Sequence, residues 1–248
     1  MATAKSDKIL PGMTKEEIAT SPLPLPGLEG FDEQEKAAYV RVLERSERLF
    51  RSFPSQRDQE YRLTPLHQGL VQSPRLAELW SDLGDFFQTS EQRGTISSRD
   101  REIALLALAP TLTNAKTDEY PITDAWIIWA VSAGVAPQDI RSIIDGRPEQ
   151  LSAEDRQLFD FVRAVASGSL SGDQFAQLQS RMGTKAAIEF ISFVTWRIGI
   201  LRTVQAHWAI VGYENDASTA FACLQEFLEG SRKPEASDIA SNWVEKPE

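Results

Sequence analysis

Cysteine occurs once in this chain, as Cys223, so no internal disulfide can form and an oxidising compartment is not required. Histidine occurs twice, as His67 and His207. Two imidazoles without nearby ligand spacing do not make a metal site, and none is expected. Long apolar runs are missing: the longest, Ala125 to Ala136, is interrupted by Ser132 and Gly134 and falls well short of the ~20 residues of a spanning helix. Positive charge is in deficit, 26 Lys and Arg against 36 Asp and Glu, for a formal net charge of −10. That balance argues against nucleic acid or an anionic membrane as a partner, since both need a basic face. The opening residues MATAKSDKIL lack the apolar core of a signal peptide, and a cytoplasmic protein is the expectation. No stretch alternates apolar and polar residues in a way that demands a strand.

What is present is helical. Met1 to Gly30, with SPLPLPGLEG and no helical period, reads as an extended arm. Phe31–Phe53 is amphipathic, with Tyr39, Val42, Leu43 and Phe50 on one side and DEQEK near its start, where acidic residues suit the helix dipole. Further helices are expected at Pro74–Gln88, Ser98–Leu108, Pro121–Ala133, Pro137–Ile144, Ala153–Ala166 and Gly172–Arg181. The apolar segment Thr184–Gly212 follows, with Gly199 as a site for a bend, and Asp216–Leu228 closes the helical part. Ser97 and Ser152 are natural N-caps. No Gly/Ser/Pro-rich break divides the middle, so one helical domain over 31–228 is expected, with a polar disordered tail over 229–248. The fold class is all-α.

The richest stretch is Ser97–Gly134. It reads SSRDREIALLALAP, a polar connection TLTNAKTDEYPIT, then DAWIIWAVSAG. The first part is apolar on almost every side and must be buried among other helices. Arg99, Arg101 and Glu102 crowd its first turns. This layout resembles the carboxymuconolactone decarboxylase and alkylhydroperoxidase D-like superfamily, where an Arg-x-Arg-Glu-Leu-Ala helix precedes a polar turn and a helix ending in Ala-Gly. Leu151–Phe159 resembles the family's Leu-Ser-Pro-x-x-Arg helix, Met182–Phe190 its next junction, Phe193–Gly212 its closing helix, and Pro74–Phe87 the segment leading into the Arg-Glu helix. About Leu63 to Gly212 is covered. The resemblance implies an alkylhydroperoxidase D-like bundle that packs as a homo-oligomer. The family's Cys-x-x-Cys-x-x-x-His has no counterpart: Glu119, Ile122 and Trp126 stand at those places, and no His lies between His67 and His207. Thiol peroxidase chemistry is thereby excluded. The family's helix Glu survives as Glu102.

Each candidate residue has two readings. Glu102 shares a helical face with Leu105, Leu106 and Ala109, so its carboxylate can be a desolvated proton-transfer group or the partner of Arg99, Arg101 or a more distant base. Tyr120 and Asp124, with Glu119, flank the start of the second helix; the hydroxyl can donate to an enolate and the Asp can accept a proton, or they pack and favour the dipole. Trp126 cannot act as a base and instead walls a pocket or fills the core, with Trp129 one turn further on. His207 is read as a structural or catalytic imidazole, and His67 has a weaker claim. Arg197 and Arg202 interrupt an apolar helix and must be paired, by Glu189, Glu102 or a substrate carboxylate. Cys223 is read as packing.

The expected function is a carboxymuconolactone decarboxylase-like enzyme of secondary metabolism. It would act on a small organic acid, lactone or polyketide-type intermediate by decarboxylation or proton transfer. Glu102, Tyr120, Asp124 and His207 are its candidate catalytic groups, and Trp126 and Arg202 its substrate contacts. No cofactor is implied. The other reading is a non-catalytic oligomeric binding or scaffold protein of the same fold.

Overall fold

The computed structural model describes residues 12–51, 56, 58–112, 122–212 and 217–233. Among them the architecture is all-α, and the sole β pairing is an isolated antiparallel bridge between Met13 and Leu63. Ten α-helices follow in order among the described residues: α1 Lys15–Ala19, α2 Glu33–Arg51, α3 Pro65–Leu70, α4 Pro74–Gln88, α5 Ser98–Leu112, α6 Asp124–Ser132, α7 Pro137–Ile144, α8 Ala153–Ser167, α9 Gly172–Val211 and α10 Ala217–Leu228. The chain divides into two compact units. One is drawn from Met1–Gln88 and Thr203–Asn215, the other from Thr89–Arg202 and Asp216–Ala236.

In the first unit, α2 packs on α4, and Val42, Leu70, Val71 and Ala77 form a shared core with Tyr39, Leu43 and Leu66 against it. Arg45 donates to Asp85 and Arg41 to Glu78 along the rim of this pair. The expected extended arm contains a one-turn helix. Thr14 caps α1, its hydroxyl accepting from the Glu17 amide at 3.2 Å while Glu17 accepts from the Thr14 amide at 2.7 Å. This reciprocal box is a purely local signal, independent of any apolar period. The last turns of α9 lie in the same unit, and the His207 ring rests flat on Gly69 of α3. A methyl group at Gly69 would overlap that ring, so the absence of a side chain is what lets the two segments meet.

In the second unit, α5 is the central helix. Every residue from Arg101 to Ala109 is buried, and α6, α7 and α8 pack around it. The burial of Ile103, Leu105, Leu106 and Leu108 stabilises the unit by about 1.5–3 kcal/mol each. The apolarity of this helix is therefore satisfied within the unit. Being buried there, α5 offers no surface of its own for subunit association.

Ser97 caps α5 through the Asp100 amide at 3.0 Å, and Ser152 caps α8 through the Asp155 amide at 3.1 Å. The helix runs past the expected end at Leu108 to Leu112, with Pro110 inside its last turn. Pro110 lacks the N–H of that turn, while the Thr111 hydroxyl donates to the Ala107 carbonyl at 3.2 Å. The break in the long α9 falls at Gly183, with φ 83° and ψ 161°, whereas Gly199 stays helical. No helix of the described residues is long and apolar enough to cross a membrane.

Candidate functional site

The first turns of α5 carry four consecutive charged residues, and three of them have fixed protein partners. Arg99 makes a two-pronged contact with Asp155 of α8, both N–O distances 2.7 Å. Asp100 accepts from Arg181 of α9 at 2.8 Å. Arg101 is buried and donates to the Ser90 hydroxyl at 2.8 Å and the Ser98 hydroxyl at 3.0 Å. Ser90 in turn donates to the Ile96 carbonyl at 2.9 Å, and Ser98 donates to Glu91. These bonds fix the register and tilt of the entry of α5.

Glu102 is the fourth and differs from the rest. It is 7% exposed, and its Oε2 has no hydrogen-bond partner among the described residues. Arg99 and Arg101, the neighbours offered by the sequence as partners, are engaged elsewhere. Burial pushes the Glu102 carboxyl above the ordinary carboxylate range, against the opposing pull of Arg197 and Arg101. It is thus biased toward the neutral acid, the form that donates a proton.

Arg197 of α9 is the opposing charge. Its guanidinium lies 4.8 Å from the Trp196 ring centre and 5.4 Å from that of Phe193, and its Nε has no hydrogen-bond partner. Burial pushes it down to about 10, with Glu102 pulling the other way. Each group feels the charge of the other, yet no direct ion pair joins them among the described residues. Glu189, the other expected partner of Arg197, is held instead by Thr95 at 2.8 Å and Arg93 at 3.2 Å.

The remaining candidates stand apart from this pair. Glu119 and Tyr120 lie outside the described residues. Asp124 opens α6 and is 3% exposed. Burial raises its pKa, while a bond with Thr219 and the charge of Arg232 oppose the rise. Nothing among its contacts links it to Glu102. Trp126 is 9% exposed and belongs to the core of the second unit. His207 belongs to the first unit, where burial lowers its pKa against the pull of the Leu66 and Pro65 backbone, and its Nδ1 has no hydrogen-bond partner among the described residues. His67 is held by Thr64 at 2.7 Å, and burial and Arg45 push it down to about 4. Arg202, the expected substrate contact, is exposed, with Nη1 3.5 Å from the Leu112 carbonyl. Cys223 is buried and accepts from Arg232 at 3.3 Å.

A cavity of about 300 Å³ lies between α8 and the start of α9, lined by Arg156, Gln157, Phe161, Gln177 and Arg181 among others. Glu102 is not part of its wall. Phe161 is, and it begins a row of rings, Phe161–Phe190–Phe193–Trp196, spaced 5.9, 6.4 and 6.2 Å, that ends beside Arg197. Compared with known proteins, the chain matches no family model, no curated protein and no solved structure.

The relation of Glu102 to Arg197 was only half legible in the sequence. Arg197 stood among apolar residues and needed an anion, but Glu189 and Glu102 were equal candidates until Arg93 and Thr95 were seen to occupy the first. The Ser90–Arg101–Ser98 support was missed. Its signal is the serine pair around an otherwise buried arginine, which needs acceptors for its donors.

Proposed function

We propose that this chain is an enzyme of carboxymuconolactone decarboxylase type, with an alkylhydroperoxidase D-like bundle. It acts on a small organic acid, lactone or polyketide-type intermediate by decarboxylation or proton transfer. The observation that carries this reading is Glu102: a buried carboxyl biased toward its neutral form, without a hydrogen bond at Oε2 although it feels the charge of Arg197 and Arg101. A purely structural carboxylate in this position would satisfy itself on Arg197 or Arg101.

In decarboxylation the C–C bond to the carboxylate breaks, CO₂ leaves, and the electron pair remains on carbon, delocalised into a conjugated carbonyl of the substrate. Glu102 then delivers its proton to that carbon. Water restores the proton to Glu102 before the next turnover. Arg197 favours the anionic character of the substrate, and the partly exposed ring of Trp196 offers flat apolar contact. The test is turnover of a panel of acids and lactones by the purified chain and by Glu102→Gln. Loss of turnover in the variant supports the reading; turnover equal to the parent removes it.

A second reading, a non-catalytic assembly protein of the same fold, is favoured by one feature. Leu76, Leu79, Leu83 and Phe86 form an exposed row on α4, spaced by three and four residues in the manner of a helix seam. Leu79 is 63% exposed. Light scattering decides whether this row joins copies of the chain. An assembly larger than 27.7 kDa that falls to a single chain in Leu79→Glu supports it. A parent that already runs as one chain refutes it.

A further inference from the structure

The cavity between α8 and the start of α9 lies wholly within the second unit. At about 300 Å³ it has the space of about ten water molecules, room for a solute of about ten non-hydrogen atoms. Leu158, Phe161 and Leu178 belong to its wall but are buried, so the groups a solute reaches first are mainly polar. Arg181 is already spent, on Asp100 at 2.8 Å and the Glu154 carbonyl at 3.0 Å. Arg156 is not. Its Nε and Nη2 donate to the Pro148 and Glu149 carbonyls, each at 3.1 Å, which fixes the guanidinium and leaves Nη1 without a protein acceptor. No carboxylate among the described residues neutralises it. Asp160 stands one helical turn further along α8, about 6 Å of axis, and makes no hydrogen bond or ion pair among the described residues. At that spacing the two side chains are within reach of each other. Arg156 instead reaches back to the residues that precede α8, so a fixed cation and an unpaired anion stand on one wall. Gln157 of α8 donates to Gln177 of α9 at 3.0 Å and joins the two walls. That bond leaves Oε1 of Gln157 as an acceptor and Nε2 of Gln177 as a donor.

We propose that this cavity is a binding site for a free α-amino acid with a carboxamide side chain, of which glutamine has the matching size. The ligand's carboxylate accepts from Nη1 of Arg156, and its ammonium donates to Asp160. Its amide meets the glutamine pair, donating to Oε1 of Gln157 and accepting from Nε2 of Gln177. Charge favours the zwitterion. A simple anion on Arg156 would face Asp160, and a simple cation on Asp160 would face Arg156. Two hydrogen bonds of about 2.8 Å and the ~3 Å between the ammonium and carboxylate of an α-amino acid span about 8 Å. This is somewhat more than one helical turn, as the backward reach of Arg156 requires. A carboxylate in place of the ligand's amide would leave Oε1 of Gln157 without a donor. Because α8 and α9 both contribute, occupancy ties the two helices together. Glu102 is not part of this wall, so the site stands whether or not the chain is an enzyme.

The probe is L-glutamine, added to the full chain and followed by calorimetry and thermal melting. It should bind saturably and raise the melting temperature. Glutaramate, which lacks the ammonium, and 4-aminobutanamide, which lacks the carboxylate, should each bind at least about tenfold more weakly, the scale of one lost charge-assisted hydrogen bond. L-Glutamate keeps both charges but cannot donate to Gln157, and should bind several-fold more weakly. Arg156→Gln and Asp160→Asn should each weaken glutamine binding by about tenfold or more. Both side chains are exposed, so these variants should keep the fold. Arg163→Gln is the control: Arg163 is exposed, lies over the Phe159 ring and stands outside the cavity, so this variant should bind as the parent does. The ligand series needs no variant and decides the matter even if a substitution unsettles α8. No saturable binding of glutamine overturns the proposal. So does equal binding of glutamate, glutaramate or 4-aminobutanamide, or a loss in Arg163→Gln equal to that in Arg156→Gln.

Discussion

Glu102→Gln separates a proton-transfer group from a structural anion, because the two roles change stability in opposite directions. The substitution keeps the shape of the side chain and a hydrogen-bonding head but removes titration. Burial raises the pKa of Glu102 from its usual 4.5. Between that unfolded value and the higher folded one, the folded chain binds more protons than the unfolded chain. Stability contributed by this residue therefore falls as pH rises across the window, at about 1.4 kcal/mol for each unit by which the pKa is raised. Glutamine carries no such penalty, so the variant should match the parent near about pH 4.5 and exceed it at neutral pH. For a chain of this size 1 kcal/mol corresponds to about 2–4 °C in melting temperature. Thermal melts at several pH values read the stability difference. Turnover should fall by about 10²–10⁴-fold, the usual loss for a general acid or base. A variant that melts lower than the parent at neutral pH and retains full turnover would refute the reasoning. It would show that an ionised Glu102 anchors Arg197 and nothing more.

Asp155→Asn should weaken the second unit by about 1–2 kcal/mol, a figure kept low because the Arg99 side chain is 36% exposed. Since Arg99 bonding holds Asp155 below its usual 3.8, the stability it gives is present above that pH and is lost as pH falls through the lower folded value, which acid melts of parent and variant would compare. Gly69→Ala should destabilise the first unit by about 1–3 kcal/mol by overlap with the His207 ring. His207→Ala in the same chain should recover part of that loss, and a double-mutant cycle by denaturant melting measures the coupling. His67 should titrate near 4 by NMR rather than at its usual 6.5, so that the folded chain loses stability as pH falls from about 6.5 toward that value; His67→Gln should flatten this stretch of the curve.

Elements with local punctuation could be read from the sequence. Pro74 and Pro137 mark the starts of α4 and α7, and both helices have the bounds the sequence suggests. Ser97 and Ser152 mark α5 and α8 equally well. Features decided by tertiary context were harder. The helix expected to end at Leu108 runs to Leu112 once packed, and Gly199 drew attention away from Gly183, where the break lies. In the site, Glu102 stood out through its apolar helix. The choice between Arg197 and Arg202 depended on which face of α9 meets α5. Five residues turn a helix by about 140°, so the two arginines had to point apart, but only packing tells which one points inward. The apolar sequence of α5 signalled burial correctly without saying that its own unit would supply all of it.

Gly69 and Gly183 are the same letter with different reasons for it, and a substitution series would separate them. At Gly69 the restriction is volumetric: each added atom meets the His207 ring, so the penalty should climb from alanine to valine to leucine. At Gly183 nothing lies within 4 Å of an added methyl, so space is free. The restriction there is torsional, a backbone region essentially reserved for glycine, at a cost of about 1–3 kcal/mol whatever the side chain. Alanine and leucine should therefore do nearly equal harm at Gly183. A chemically synthesised chain with D-alanine there should do none, because the handedness of the residue, rather than its size, is what the break in α9 forbids.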